Sequence, residues 1–164
     1  MIREQEYVLY HGSDVKIVDP RCDVGESRRD FGQCFYTTHS NRMARDWALK
    51  RSVESGSGTP VVNKYVVDLE CLCTGELKVK RFEANEEWAR FVYDNRYVRG
   101  YVRPDFDIII GPLADRGLAE KFAEMEMKGL TFADIAPRIE YTRYRTLQVC
   151  FCSERALCVL KHAN

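Results

Sequence analysis

Short runs of alternating apolar and polar residues recur along the chain, separated by stretches with helical spacing. Alternation puts successive side chains on opposite faces of a strand, whereas apolar residues three or four positions apart share one helix face. The pattern predicts strands at Tyr7–His11, Cys34–Thr38, Val61–Leu69, Glu76–Phe82, Phe106–Ile110 and Thr146–Cys152. It predicts helices at Asn41–Val53, Asn85–Arg96, Ala114–Lys128, Phe132–Ile139 and Glu154–Lys161, with Ser153 capping the last. We expect the fourth helix to be interrupted or to end near Pro137.

Two stretches between these elements predict loops. Residues 14–32 contain one proline, two glycines and scattered charges, which predicts a long loop of the kind that is often functional or mobile. Ser55–Pro60 predicts a flexible turn that is too short to link two domains. Strands and helices do not alternate regularly, so the order favours an α+β fold over a doubly wound parallel sheet. We expect one domain over residues 1–164.

Composition narrows the class of protein. The 164 residues are 45% apolar and carry 25 basic and 25 acidic side chains, which excludes wholesale disorder. Zero net charge also argues against a protein that coats nucleic acid by bulk electrostatics. No apolar run approaches the ~18 residues of a membrane helix, and the N-terminus lacks a signal-peptide layout. We therefore expect a cytoplasmic protein that does not enter the membrane.

The seven cysteines predict buried thiols and no metal site. Their closest spacings are C-x-C, and no histidine follows at zinc-finger spacing. In a strand, C-x-C places two small side chains on one face, where free cysteine packs as a small hydrophobe. The residues are Cys22, Cys34, Cys71, Cys73, Cys150, Cys152 and Cys158.

Three separate positions carry side chains suited to binding or catalysis. His11 ends a predicted strand just before Gly12, so its ring either faces a ligand or bonds a neighbouring carbonyl. Tyr36 and Trp47 lie eleven residues apart, an interval that lets two rings hold a flat ligand or pack in the core. Gln148 falls on a strand expected to be central, where its amide needs partners from the backbone or from a sugar hydroxyl.

The order of these segments resembles the ADP-ribosyltransferase superfamily, in its histidine–tyrosine–glutamate branch with diphtheria-type toxins and poly-ADP-ribose polymerases. The chain is closer still to an uncharacterised bacterial family of small stand-alone members in that group. The likeness runs from about Val8 to Leu160. The segments that carry it are LYHGS at Leu9–Ser13, DFG-x-x-FY at Asp30–Tyr36, DI-x-IGP-x-AD at Asp107–Asp115, and Gln148–Leu160.

The resemblance implies a split-sheet fold in which two small antiparallel sheets form a cleft for NAD, with flanking helices. NAD would be a co-substrate, and no metal would be needed. The catalytic residues would be His11, Tyr36 and Gln148. The implied contacts with NAD come from several segments. His11 would bond a ribose hydroxyl, the Gly12 backbone would bond the nicotinamide amide, and Ser13 would lie close to the ribose or the amide. Tyr36 and Trp47 would enclose the nicotinamide ring, and Phe31 with Arg28 or Arg29 would cover the dinucleotide and neutralise its pyrophosphate.

Gln148 departs from the glutamate usual in that branch. Glutamine keeps a hydrogen bond to the ribose but brings no charge and cannot act as a general base. The resemblance therefore implies mono-ADP-ribosyl transfer to an acceptor that is already nucleophilic, and loss of activity is the alternative. Glu140 and Glu154 are the fallback carboxylates, although Glu154 also suits the first turn of a helix.

Two arginine–tyrosine stretches, Tyr93–Arg103 and Tyr141–Arg145, suit a nucleic-acid or protein acceptor, or simply a solvated face. A small stand-alone catalytic domain suggests a bacterial toxin or effector with a cognate antitoxin. The rival hypotheses are a non-enzymatic module that binds NAD-like ligands or nucleic acid, and an NAD-independent ribonuclease toxin that uses His11.

A cysteine hydrolase is a further alternative, with Cys34 or Cys150 as the nucleophile and His39 or His162 as the base. A kinase is excluded, because Asp30-Phe31-Gly32 stands without a glycine-rich loop or a catalytic-loop motif.

Overall fold

The computed structural model describes residues 7–68, 76–114, 116–140 and 146–163, which form seven strands and five helices. The strands are β1 Tyr7–Ser13, β2 Phe35–Thr38, β3 Val61–Val67, β4 Val79–Arg81, β5 Ile108–Pro112, β6 Leu147–Phe151 and β7 Leu160–Ala163. The helices are α1 Asn41–Glu54, α2 Glu86–Tyr97, α3 Arg116–Lys128, α4 Phe132–Glu140 and α5 Glu154–Leu157. No helix in these ranges has the length and apolar character needed to cross a bilayer.

The strands form one open sheet in the order β4-β5-β6-β2-β1-β3-β7. The β4–β5 pair is parallel and the other pairs are antiparallel. The two central strands β1 and β2 share a single register pair, Tyr10↔Thr38, whereas β1 and β3 pair from Tyr7↔Val67 to Ser13↔Val61. The α+β class is therefore confirmed. The two separate sheets expected from the resemblance appear as one sheet, because this pair still joins its halves.

Side chains from both faces of the sheet are buried. On one face, α2, α3 and α4 cover a cluster that includes Trp88, Phe122 and Ile135. On the other face, Leu9, Phe35, Tyr65 and Phe151 are among the residues of a second cluster, which α5 and β7 help to close. The Ser40 and Asn85 side chains cap α1 and α2 by accepting hydrogen bonds from the amides of Met43 and Trp88. These caps explain why both helices begin where the sequence predicts.

The predicted C-terminal helix is wrong in its second half. Ser153 does cap α5, but the helix ends at Leu157, and the chain then forms β7. β7 pairs with β3 from Val67↔Leu160 to Lys64↔Ala163. The unpaired edge of β3 offers hydrogen bonds that a last helical turn could not match, so the tertiary partner overrides the local preference.

Smaller boundaries also differ from the sequence prediction. β1 extends to Ser13, and β5 covers Ile108–Pro112 instead of ending at Ile110. α4 continues through Pro137 to Glu140 instead of stopping at the proline. β4 covers only Val79–Arg81 of the predicted run.

Candidate active site

A buried carboxylate lies where the long loop after β1 turns back toward β2. Asp30 is 6% exposed, and its oxygens accept hydrogen bonds from Arg96 Nε at 2.7 Å and from the Ala114 amide at 3.2 Å. A second contact with Arg96 completes an ion pair. Asp30 Oδ2 also accepts from Gln148 Nε2 at 2.9 Å. One carboxylate thus ties together the loop, α2, the end of β5 and β6.

The Gln148 amide has one orientation in this environment. Its Nε2 donates to Asp30 Oδ2 and to the Pro112 carbonyl at 3.2 Å. Both partners only accept, so the NH2 group must face them. Within the described residues nothing donates to Oε1. The side chain is 5% exposed and lies on a strand between β5 and β2, so the sequence prediction of a central strand is confirmed.

Tyr36 holds the same turn from the other side. Its hydroxyl donates to the Gly32 carbonyl at 2.7 Å and accepts from the Phe31 amide at 3.0 Å. Burial raises the pKa of this phenol well above its usual range, and the nearby Asp30 carboxylate adds to the shift. Tyr36 is therefore a neutral group whose hydroxyl is already paired, which leaves its ring face for contacts.

His11 joins the site through a main-chain oxygen. Its Nδ1 lies 2.6 Å from the Tyr36 carbonyl, and its ring stacks on Phe35 with the centroids 4.5 Å apart. Because neighbours on a strand face opposite sides, the imidazole and the Tyr36 ring lie on different faces of the sheet. The carbonyl can only accept, so Nδ1 carries the hydrogen and Nε2 offers a lone pair. Burial lowers the pKa of His11 from 6.5, and the positive charges of Arg29 and Arg51 lower it further.

This shift predicts a pH response. The imidazole should be neutral at pH 7 and gain its proton only below pH 6.5. A folded-state pKa below the unfolded value means that protonation favours unfolding, so the contribution of His11 to stability is constant above that pH and falls below it. Titration of the ring by NMR tests this, with the His11 resonance assigned by its loss in His11→Gln. A midpoint above 6.5 would contradict the assignment.

The Arg29 side chain lies near both the Tyr36 ring and the Trp47 ring. The guanidinium carbon of Arg29 lies 5.8 Å from the Tyr36 ring centroid and 5.7 Å from that of Trp47. Arg29 Nε is buried and has no acceptor in the described structure. Trp47 is 39% exposed on α1, with Lys50 Nζ 4.8 Å from its ring. Two rings predicted to hold a flat ligand thus contact a planar cation.

Three further candidates have structural roles. A Cβ on Gly12 would lie 2.1 Å from the Ala44 carbonyl, so the glycine lets α1 pack directly on β1. Ser13 is buried, and its Oγ accepts from the Val15 amide at 3.3 Å at the start of the loop. Phe31 is 0% exposed in the helix-covered cluster. The ring of Phe31 therefore fills the core, and its role as a cover over a dinucleotide stays a prediction.

Residues 7–162 match the model of DUF3990, a family described as a protein of unknown function. The chain belongs to the DUF3990 family. Among curated proteins, none matches the chain significantly.

Several residues that organise the site of this DUF3990 protein were missed as site residues. Asp30 belongs to a quoted motif, but nothing in the sequence signals that it meets Gln148, which lies 118 residues away. Arg96 was grouped with an exposed arginine–tyrosine stretch, yet it binds Asp30. Arg103 was grouped in the same way, and its Nη1 is buried without an acceptor in the described structure. Of the two arginines predicted near the pyrophosphate, Arg28 is exposed and Arg29 reaches the rings.

The cysteines of this DUF3990 protein differ from the prediction. Cys34 and Cys152 form a disulfide, which joins the start of β2 to the end of β6. Cys150 is a buried thiol as predicted, and burial raises its pKa well above the usual range, which disfavours a thiolate nucleophile. Cys158 is exposed, and Cys22 is half-buried.

Other predicted features lie elsewhere. Cys71, Cys73 and the stretch Tyr141–Arg145 fall outside the described residues, as does the side chain of Glu140. The described side chains contain no group of three or more potential metal ligands. Glu154 lies in the first turn of α5, where its carboxylate accepts from Cys22 Sγ.

An apolar hollow lies on the face opposite the α2–α4 helices. It has a volume of about 290 Å³ and contains none of the candidate residues. Its lining is formed by Tyr7, Leu9, Val67, Val79, Ile108, Ile110, Val149 and Phe151.

Proposed function

We propose that this protein binds NAD at the junction of β1 and β2, releases nicotinamide and transfers ADP-ribose to a macromolecular acceptor. The observation that carries the proposal is the planar guanidinium of Arg29 within 6 Å of both the Tyr36 and Trp47 rings. The nicotinamide of NAD is likewise planar and positively charged, and such cations are attracted to aromatic faces. A site that holds one planar cation close to two aromatic rings is suited to the other.

Two buried arginine nitrogens also support the proposal. Arg29 Nε and Arg103 Nη1 are buried donors for which the described part of the chain provides no acceptor, an arrangement that costs free energy unless an anion completes it. A pyrophosphate offers several acceptor oxygens, and guanidinium groups match their geometry. On this proposal, Arg29 leaves the rings when nicotinamide enters and pairs with the pyrophosphate.

In the proposed reaction the protein offers a neutral hydrogen-bond acceptor to the ribose, and no charged base takes part. The bond between ribose C1′ and the nicotinamide nitrogen breaks, and its electron pair neutralises the departing ring. The acceptor nucleophile then bonds C1′ and releases its proton to solvent. Gln148 Oε1, on the same face of the sheet as the Tyr36 ring, is the lone pair offered to a ribose hydroxyl, and this hydrogen bond stabilises the positive charge that develops on the sugar. His11, on the opposite face, holds β2 through its hydrogen bond to the Tyr36 carbonyl. The narrow β1–β2 junction fits a cleft between two half-sheets.

The acceptor is proposed to be already nucleophilic, because the described site holds no free carboxylate to act as a base. The further proposals are that the enzyme is a bacterial toxin or effector, that an antitoxin partners it, and that it acts in the cytoplasm. Incubation with NAD and measurement of free nicotinamide test the central claim. Binding of NAD without release would instead support a binding module, and RNA cleavage without NAD would support a ribonuclease.

Trp47→Ala tests the ring contact without disturbing the core. The side chain is partly exposed on α1, and stacking of a base on an aromatic residue contributes ~1–3 kcal/mol. We expect NAD to bind about 5- to 150-fold more weakly as a result, with Trp47→Phe close to wild type. Val53→Ala, at an exposed position on the same helix, is the matched control. Equal affinity of Trp47→Ala and wild type, measured by calorimetry, would refute the assignment of this ring.

A further inference from the structure

The Asp30–Gln148 pair combines features that a structural ion pair alone does not explain. Asp30 already has two strong partners, the Arg96 guanidinium and the Ala114 amide. It nevertheless takes a third hydrogen bond, from Gln148 Nε2. That bond fixes the amide with its carbonyl oxygen directed away from the carboxylate. The outcome is an oriented carbonyl oxygen, with no donor among the residues that the structure describes, at the position where the resemblance places a catalytic side chain.

We propose that Asp30 is the positioning residue for Gln148 and supplies the negative charge that glutamine lacks. This inference depends on the proposed function. A carboxylate that accepts from the NH2 group polarises the amide, so more negative charge develops on Oε1. The ribose hydroxyl would bond to Oε1, and the charge of Asp30 would act on the developing cation through one hydrogen-bonded group.

The same geometry explains glutamine at position 148. An atom of residue 148 lies 2.9 Å from an oxygen of Asp30. A glutamate there would place two carboxylates in contact, and two such groups cannot both ionise. The titratable and charged groups packed around the pair are Arg29, Tyr36, Arg96, Arg103 and Cys150. The contact between residues 30 and 148 therefore requires one carboxylate and one amide.

Exchange of the two groups is the decisive experiment. Asp30→Asn and Gln148→Glu should each lower kcat for nicotinamide release by roughly 10- to 100-fold, the loss typical of removing an orienting partner, with KM for NAD little changed. The double variant Asp30→Asn/Gln148→Glu restores one carboxylate and one amide. We expect it to recover to within about fivefold of wild type, since coupled groups are not additive. A double variant no better than the poorer single variant would overturn the proposal.

Asp107→Asn is the matched control. Asp107 is a second buried carboxylate with an arginine partner, Arg155, and its other side-chain hydrogen bonds in the described structure are to Ser153 and the Lys78 amide. The Asp107→Asn variant should be less stable than wild type but should keep the wild-type kcat when it is assayed below its unfolding temperature. A fall in kcat equal to that of Asp30→Asn would show a general effect of removing a buried ion pair and would overturn the proposal.

A readout without NAD separates this inference from the proposed function. In Gln148→Glu, contact with Asp30 should raise the pKa of the new carboxyl in the folded state. Its neutral form is then compatible with folding, so the fall in Tm relative to wild type should be small at pH 5 and larger at pH 8. A fall that does not depend on pH would overturn the Asp30–Gln148 coupling. Wild-type protein that releases no nicotinamide would refute the proposed function, and the Tm result would still decide the coupling.

Discussion

Gly12→Ala is expected to destabilise the fold by about 3 kcal/mol or more, the upper part of the range for overpacking. A Cβ at this position would lie 2.1 Å from the Ala44 carbonyl and 2.7 Å from the Ala48 amide. Both atoms belong to the backbone of α1, so the clash is relieved only if the helix moves away from β1. Chemical denaturation monitored by circular dichroism measures the loss directly.

Gly25→Ala is the control for this substitution. Its Cβ would meet the Cys34 carbonyl at 3.5 Å, which is an ordinary contact, so the change in stability should be small. The comparison also bears on function, because the resemblance implies a backbone contact from Gly12 to nicotinamide. Gly12→Ala with wild-type stability but weaker NAD binding would show a ligand role, and the packing account would then be wrong.

Asp107→Ala should have the second large effect, and we expect it to lower the free energy of unfolding by an amount on the order of 3 kcal/mol. This value is near the lower end of the range for breaking a buried ion pair, because the Arg155 side chain is half exposed. Asp107 accepts hydrogen bonds from Arg155 Nε at 2.7 Å, Ser153 Oγ at 2.6 Å and the Lys78 amide at 2.8 Å. These contacts join the segment before β4, the start of β5 and α5. Removal of the carboxylate leaves all three donors without this acceptor.

The same carboxylate predicts a pH dependence. Its hydrogen bonds with Arg155 and Ser153 hold the pKa of Asp107 well below its usual 3.8. A folded-state pKa below the unfolded value contributes stability above pH 3.8, and this contribution is lost as the pH falls. Wild type and Asp107→Ala should therefore differ most near neutral pH and converge in acid. A difference in the free energy of unfolding between the two proteins that stays constant from pH 7 to pH 3 would contradict this account.

The elements of the fold were largely predictable because their signals are local. The caps Ser40 and Asn85, and the apolar spacing behind them, depend only on residues within a few positions. The prediction for Leu160–Ala163 was wrong because the signal that decides its structure is not local. Its neighbours favour a helix, but it pairs with β3, whose free edge no local pattern reveals.

The candidate site was predictable residue by residue but not as an arrangement. His11, Tyr36 and Gln148 were singled out because their residue types and positions suit binding. Their actual partners are the Tyr36 carbonyl, the turn at residues 31–32 and Asp30, which were not predicted. A hydrogen bond has no signature in sequence spacing when its donor and acceptor come from distant segments.

By itself the sequence determined the α+β class, most of the strands and helices, the match to the DUF3990 family and the residue types available at each position. Only the tertiary structure decided that Asp30 meets Gln148, that Arg29 lies by Tyr36 and Trp47, and that Cys34 bonds to Cys152. The physical reason is the distance along the chain over which each interaction acts. Backbone propensity and apolar periodicity act between near neighbours, whereas buried carboxylates, disulfides and ring contacts depend on which distant segments the closed core brings together.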